Sequence, residues 1–195
     1  MLFSKNLGNW NKYESMKKDD FSVNEKFWKK YKGISKELAE EIPEDKLYDI
    51  IDNYVSWIVG NSFDEAMHEK LMKLSEIIRY SYLVYQYECE INNGGFDQFF
   101  FNSIGYEVFE IQNALTFFGL TKNKEILDKA VKLLETKIDL KDYKKLSANR
   151  ELPTEELEDE LNKLDSLFYK YPEKIESIIN DFLAKNREKL ITREK

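Results

Sequence analysis

Apolar residues recur at helical spacing along most of this chain, and the pattern predicts a succession of helices separated by Gly, Pro and Asn breaks. Ser22-Val23-Asn24-Glu25 reads as a capping box for a short helix carrying Phe27, Trp28 and Tyr31 and closed by Gly33. Ser35 is placed to cap a short helix ending before Pro43, and Glu44 and Asp45 open the next, which carries Leu47, Ile50, Ile51, Tyr54, Val55 and Ile58 up to Gly60. A second capping box, Ser62-Phe63-Asp64-Glu65, starts a single long pattern from Met67 through Leu71, Leu74, Ile77, Ile78, Tyr82 and Tyr85 to Cys89, interrupted at Asn92-Asn93-Gly94-Gly95. Further helices are predicted over 96–102, 106–118 and 122–134, the last capped by Thr121. An acidic helix follows Pro153-Thr154, with Leu157, Leu161, Leu164 and Phe168 on one face, and a final one carries Ile175, Ile178, Ile179, Phe182 and Leu183. Residues 137–152 have no clear period. The prediction is an all-α fold: residues 1–35 as a basic, aromatic extension with a short helix, and residues 36–195 as one compact multi-helix domain.

Composition supports that class. Seven Gly and three Pro are few for the many turns of a β-sandwich or barrel. A single cysteine excludes a disulfide framework, and Cys89 reads as a small buried helix residue. The single His68 reads as an ordinary exposed helix residue and leaves no histidine-centred metal site. No metal or cofactor is expected. No apolar run reaches membrane-spanning or signal-peptide length, so a cytoplasmic location with no membrane association is expected.

The net charge of -7 is unevenly distributed. Residues 1–36 carry nine Lys, whereas no Lys or Arg lies between Arg79 and Lys122. The acidic middle argues against direct nucleic-acid binding, which needs clustered cations. Two acidic bands stand out: Glu155, Glu156, Glu158, Asp159 and Glu160 on one helix, and Glu37, Glu40, Glu41, Glu44, Asp45, Asp49 and Asp52, diluted by Lys46, around another helix start, with Glu40, Glu41, Glu44 and Asp45 as its candidate contacts. With the leucines inward, Glu155, Glu158 and Asp159 should point outward, flanked by Glu156 and Glu160.

The cation-free stretch contains Glu90-Ile91-Asn92-Asn93-Gly94-Gly95-Phe96-Asp97-Gln98-Phe99-Phe100-Phe101-Asn102. Asn93-Gly94-Gly95 permits positive φ and a change of direction. Phe96, Phe99 and Phe100 form an i, i+3, i+4 stripe directed at the core, and Gln98 and Asn102 share a face from which their amides can bond loop backbone. Two readings stand side by side: a packed corner held by aromatics and amides, and a ligand cleft using Asn92, Asn93, Asp97, Gln98 and Asn102. For catalysis the only candidates are the carboxylates Glu88, Glu90 and Asp97. Glu88 and Glu90 diverge by about 160° on a helix, so no enzymatic activity is expected.

The pattern Glu90, Asn93, Gly94, Gly95, Phe96, Gln98, Phe99, Phe100, Asn102 resembles the signature of a bacterial family formerly labelled a domain of unknown function, and the similarity extends from about Leu47 to Leu190, including Leu164-Asp165-Ser166-Leu167-Phe168-Tyr169 and Asn186. The best-known member of that family is a DNA mimic that binds a transcription factor of the helix-turn-helix type. The resemblance implies a protein partner, with DNA-binding proteins the leading class, and transcription regulation as the setting. It implies no catalytic residues. The acidic bands would then be the partner-binding face. A small-ligand or peptide sensor, or an immunity-type inhibitor, with a cleft near the Asn-Gly-Gly-Phe turn is the alternative.

Overall fold

The structure, a computed structural model, describes residues 21–60, 62, 64–135 and 155–192. The arm at 1–20, the unclear segment at 137–152 and the Pro153-Thr154 helix start lie outside the described residues. All regular structure among the described residues is helical, as predicted. In chain order the elements are α1 (Phe21–Tyr31), α2 (Lys36–Glu41), a 3-10 turn Glu44–Lys46, α3 (Leu47–Val59), α4 (Asp64–Leu71), α5 (Glu76–Phe101), a 3-10 turn Ser103–Glu107, α6 (Val108–Phe117), α7 (Thr121–Glu135), α8 (Glu155–Phe168), α9 (Ile175–Lys185) and a 3-10 turn Arg187–Leu190.

Helix α5 is the axis of the fold. It packs on α3, α6, α8 and the turn at 103–107, while α7 bridges α6 and α8, and α9 lies on α3 and the turn at 44–46. From Ile77 to Tyr85 every residue of α5 is buried, the mark of a helix surrounded by protein on all sides. This accounts for the absence of Lys and Arg from 80 to 85: a cation there would lose its hydration with little room for a partner. Arg79, at the edge of the gap, is buried only because its Nε donates to Glu110 at 3.2 Å and its Nη1 to the Leu74 carbonyl at 3.2 Å.

Several helix ends follow the predicted chemistry. Ser35 accepts from Leu38 N at 3.2 Å, and Gly60 and Gly119 close α3 and α6 at positive φ. The α1 helix is described from Phe21, so Ser22 lies inside it; it stops at Lys32 and Gly33, both at positive φ. Trp28 is fully buried against Tyr54, with centroids 4.9 Å apart, so α1 shares the common core. The chain's end secures the same region: Ile34 N donates to Thr192 Oγ1 at 2.8 Å, Thr192 N donates to Ile34 O at 2.9 Å, and Arg187 Nη1 donates to Ile42 O at 2.8 Å.

Three expectations are corrected. The long pattern from Met67 to Cys89 is two helices, because residues 72–75 tighten into i→i+3 turns and Ser75 is extended; Leu71, Leu74 and Ile77 keep helical spacing across the break, so the periodicity conceals it. Cys89 is exposed rather than buried. His68 is half-buried, with Nδ1 3.0 Å from both carboxylate oxygens of Glu107, itself 1% exposed. This pair ties α4 to the turn before α6.

Burial pushes the Glu107 carboxyl above the ordinary glutamate range, and His68 draws it partly back. A raised folded-state value means that this group's contribution to stability is complete below its ordinary value and falls as pH rises through the raised one. Removing His68 deepens that fall. His68→Ala is therefore expected to destabilise the protein by about 1–3 kcal/mol at neutral pH, with the difference from wild type shrinking as pH approaches 4.5, the ordinary glutamate value; urea denaturation across pH checks this.

Candidate functional site

The Asn-Gly-Gly-Phe segment is a kink inside α5. Gly94 (φ -159°, ψ 23°) and Gly95 (φ 72°, ψ -170°) leave helical geometry, and the helix resumes at Phe96. Breaking a helix leaves carbonyls without partners on one side and N–H groups on the other. One group of each kind is met by α8 and the residue after it. Phe96 N donates to Asp165 Oδ1 at 2.8 Å, so a carboxylate from α8 caps the second half of α5. The Tyr169 hydroxyl donates to Ile91 O at 2.7 Å, and the Tyr171 hydroxyl to Asn92 Oδ1 at 2.9 Å. A Cβ on Gly95 would run into the Asp165 carboxylate, and Gly95 sits where L-residues are strained, so glycine is required twice over.

Across the kink, Gln98 Nε2 and Asn102 Nδ2 both donate to Glu90 Oε2, at 2.7 and 2.8 Å. The two amides therefore bond a carboxylate of the preceding half-helix, not the loop backbone expected from their shared face. One carboxylate thus fixes the angle between the halves. Phe96, Phe99 and Phe100 enter the core as predicted, clustering around Tyr87, whose ring lies 5.5 Å from Phe99 and 5.6 Å from Phe168.

The same kink leaves Asn92, Asn93 and Asp97 exposed. Asn92 and Asn93 border a groove of about 390 Å³ that is also lined by Tyr48, Tyr85, Glu88 and Glu176. Asp97, Gln98 and Asn102 do not line it. It adjoins a larger open groove of about 690 Å³ between the turn at 44–46, α5 and α9, and the two share Glu88 and Glu176. Six carboxylates line the larger groove, from Glu44, Asp45, Glu88, Glu173, Glu176 and Asp181, against one cation, Lys174. Glu173 also serves as a cap: its carboxylate accepts Lys122 N at 3.2 Å and Asn123 N at 2.9 Å, supplying from outside the helix a cap expected of Thr121.

The predicted acidic bands are thus divided. Glu44 and Asp45 enter the groove, whereas Glu40 and Glu41 on α2 do not line it. On α8, Leu157, Leu161, Leu164 and Phe168 are buried and Glu158, Asp159 and Glu160 are exposed, with Lys163 paired to Glu160; Glu155 and Glu156 belong to the helix, but their side chains lie outside the described residues. No described residue of α8 lines either groove. Glu176, Asp181 and Glu88 were not singled out as partner-binding residues by sequence reasoning. They come from distant segments, and only the packing of α9 against α3 and the turn at 44–46 gathers them.

These features define a kinked all-α protein with acidic surfaces on α8 and between α5 and α9. A family model described as DMP19-like protein matches residues 72–186. The chain belongs to this family. The match starts at the break before α5 and ends at Asn186, the C-cap of α9, so it covers the kink and its α8 partners; it is narrower than the 47–190 similarity read from sequence, and Tyr48, Glu44 and Asp45 fall outside it. No curated protein and no solved structure matches the chain.

If the kink is a structural corner, losing either clamp should unfold it. Asn102→Ala is expected to cost about 1.5–3 kcal/mol, the range for a hydrogen bond to a charged group, and an unchanged midpoint in chemical denaturation would refute the corner. Asp165 provides an independent check. Burial lifts its carboxyl above the ordinary range while Phe96 N–H draws it back, so Asp165→Asn, which keeps the acceptor and sheds the buried charge, should be more stable than Asp165→Ala by about 1–2 kcal/mol.

Proposed function

We propose that this protein is a non-enzymatic, acidic binding protein of the DNA-mimic type that occupies the DNA-binding surface of a regulatory protein. The observation that carries this reading is membership of the DMP19-like family, in a chain that presents exposed carboxylates on α8 and a carboxylate-lined groove. A mimic has to offer negative charge at a density like that of a duplex, roughly one charge per 1.7 Å of axis, and a helix rises about 1.5 Å per residue. Glu158, Asp159 and Glu160 approach that density locally, and Glu155 and Glu156 belong to the same run. A binding role also suits the placement of the former catalytic candidates. Glu90 is engaged by Gln98 and Asn102, and Glu88 lines the groove, so the two do not form an acid/base pair.

Affinity capture of the tagged chain from host lysate, with and without excess duplex DNA, tests the reading. A DNA-binding protein should be enriched, duplex DNA should displace it, and charge reversal at Glu158 and Asp159 to Lys should abolish the complex. A complex that survives both the reversal and high salt would rule out mimicry by this face.

A further inference from the structure

Helix α4 is short and is set off from its neighbours at both ends. Gly60 leaves α3 at positive φ, and residues 72–75 form tight turns before α5. The helix packs on α3 and on the turn at 103–107. Its apolar hold is made by Met67 and Leu71, both buried, while Glu65, Ala66 and Glu69 are exposed. Two polar ties add to it. Lys70 Nζ donates to Val59 O, the last residue of α3, at 2.7 Å, and His68 Nδ1 lies 3.0 Å from each carboxylate oxygen of Glu107. The two ties differ in kind, because a backbone carbonyl does not titrate and a carboxylate does.

Glu107 is 1% exposed, whereas the His68 side chain is 35% exposed and reaches solvent. The charged and titratable groups facing this carboxylate are His68 from α4, Arg79 and Tyr82 from α5, and Glu110 from α6. Arg79 is itself engaged by Glu110 at 3.2 Å and by the Leu74 carbonyl at 3.2 Å, so its charge is shared with a second acid. Tyr82 is buried between Glu107 and the Asp52 and Ser56 side chains of α3. His68 is therefore the group that touches both oxygens of Glu107, and it stands on a helix that can move. While α4 is in place, burial penalises the Glu107 anion and the closed site favours a bound proton. Lifting α4 takes the imidazole away and opens the carboxylate to water, where a glutamate ionises in its ordinary range. Opening thus releases a proton over the interval between the ordinary value of 4.5 and the raised one. The closed state is favoured at the low end of that interval and loses ground as pH rises through it.

We infer that α4 is a proton-controlled flap: with a proton on the His68–Glu107 pair it lies closed on α3 and the turn at 103–107, and as pH rises it opens about Gly60 and residues 72–75, uncovering Met67 and Leu71. Such a local opening is a sub-global event, separate from unfolding of the α5 core.

Amide hydrogen exchange of the full chain, followed by NMR from about pH 5 to about pH 8, tests this over the range in which an imidazole–carboxylate pair changes charge. The α4 amides and Met72 N, which donates to His68 O at 2.9 Å, report the flap. After division by the intrinsic chemical rate, their opening should increase with pH, by at most about tenfold per pH unit, the limit for one released proton. The amides of residues 77–85 should not follow. Glu107→Gln keeps the shape and removes the titration, so it should flatten the slope. Lys70→Met leaves the acid pair untouched and cuts the other tie; it should raise opening at every pH with the slope unchanged. The flap is overturned by a pH-independent wild type, by a slope that persists in Glu107→Gln, by unchanged opening in Lys70→Met, or by a parallel rise at residues 77–85, which would make the event global unfolding.

Discussion

The Glu90 carboxylate, reaching across the break at Gly94 and Gly95 to two amides of the following half-helix, is the constraint on which the rest of the architecture depends. A helix as long as α5 would otherwise run straight past the core. Turning it requires a residue tolerant of positive φ, a substitute for the lost intrahelical bonds, and something to hold the new direction. Gly95 meets the first need, Asp165 and Tyr169 the second, and the Glu90 clamp with the Phe96, Phe99 and Phe100 stripe the third. Because Asp165 and Tyr169 flank the end of α8, the kink and the position of α8 are a single structural decision.

That decision also shapes the charge distribution. With residues 77–85 of α5 enclosed, its carboxylates lie at its first residue, Glu76, or beyond the enclosed stretch, at Glu88, Glu90 and Asp97. Glu88 reaches the groove beside α9, and α8, docked by its leucines and Phe168, turns Glu158, Asp159 and Glu160 outward. The acidic surfaces are thus a consequence of how the core is closed, and they lie on separate faces: no described residue of α8 enters the groove.

Much of the fold was legible in the sequence because helix chemistry is local. Ser35, Gly33, Gly60 and Gly119 act within a turn of where they stand, and the leucine stripe of α8 repeats at a spacing that any reader can count. The break at residues 72–75 was not legible, because it preserves the phase of Leu71, Leu74 and Ile77 and a period count cannot detect it. The burial of Glu107 against His68, and the exposure of Cys89, depend on which neighbours arrive from elsewhere in the chain.

What the sequence by itself determined is therefore the helical class, the glycine break after Asn93, the inward phenylalanines and the outward acids of α8, since each follows from backbone conformational freedom or from a periodicity of 3.6. What only the tertiary structure decided is the set of partners. Glu90 meets Gln98 and Asn102 because the kink closes at one angle; Phe96 meets Asp165 across sixty-nine positions of chain; and Glu44, Tyr48, Glu88 and Glu176 come to line adjoining lobes of one groove because α9 packs against α3 and the turn before it. Hydrogen bonds and electrostatic attraction act over a few ångströms in space, and distance along a chain carries no information about them until the chain has folded.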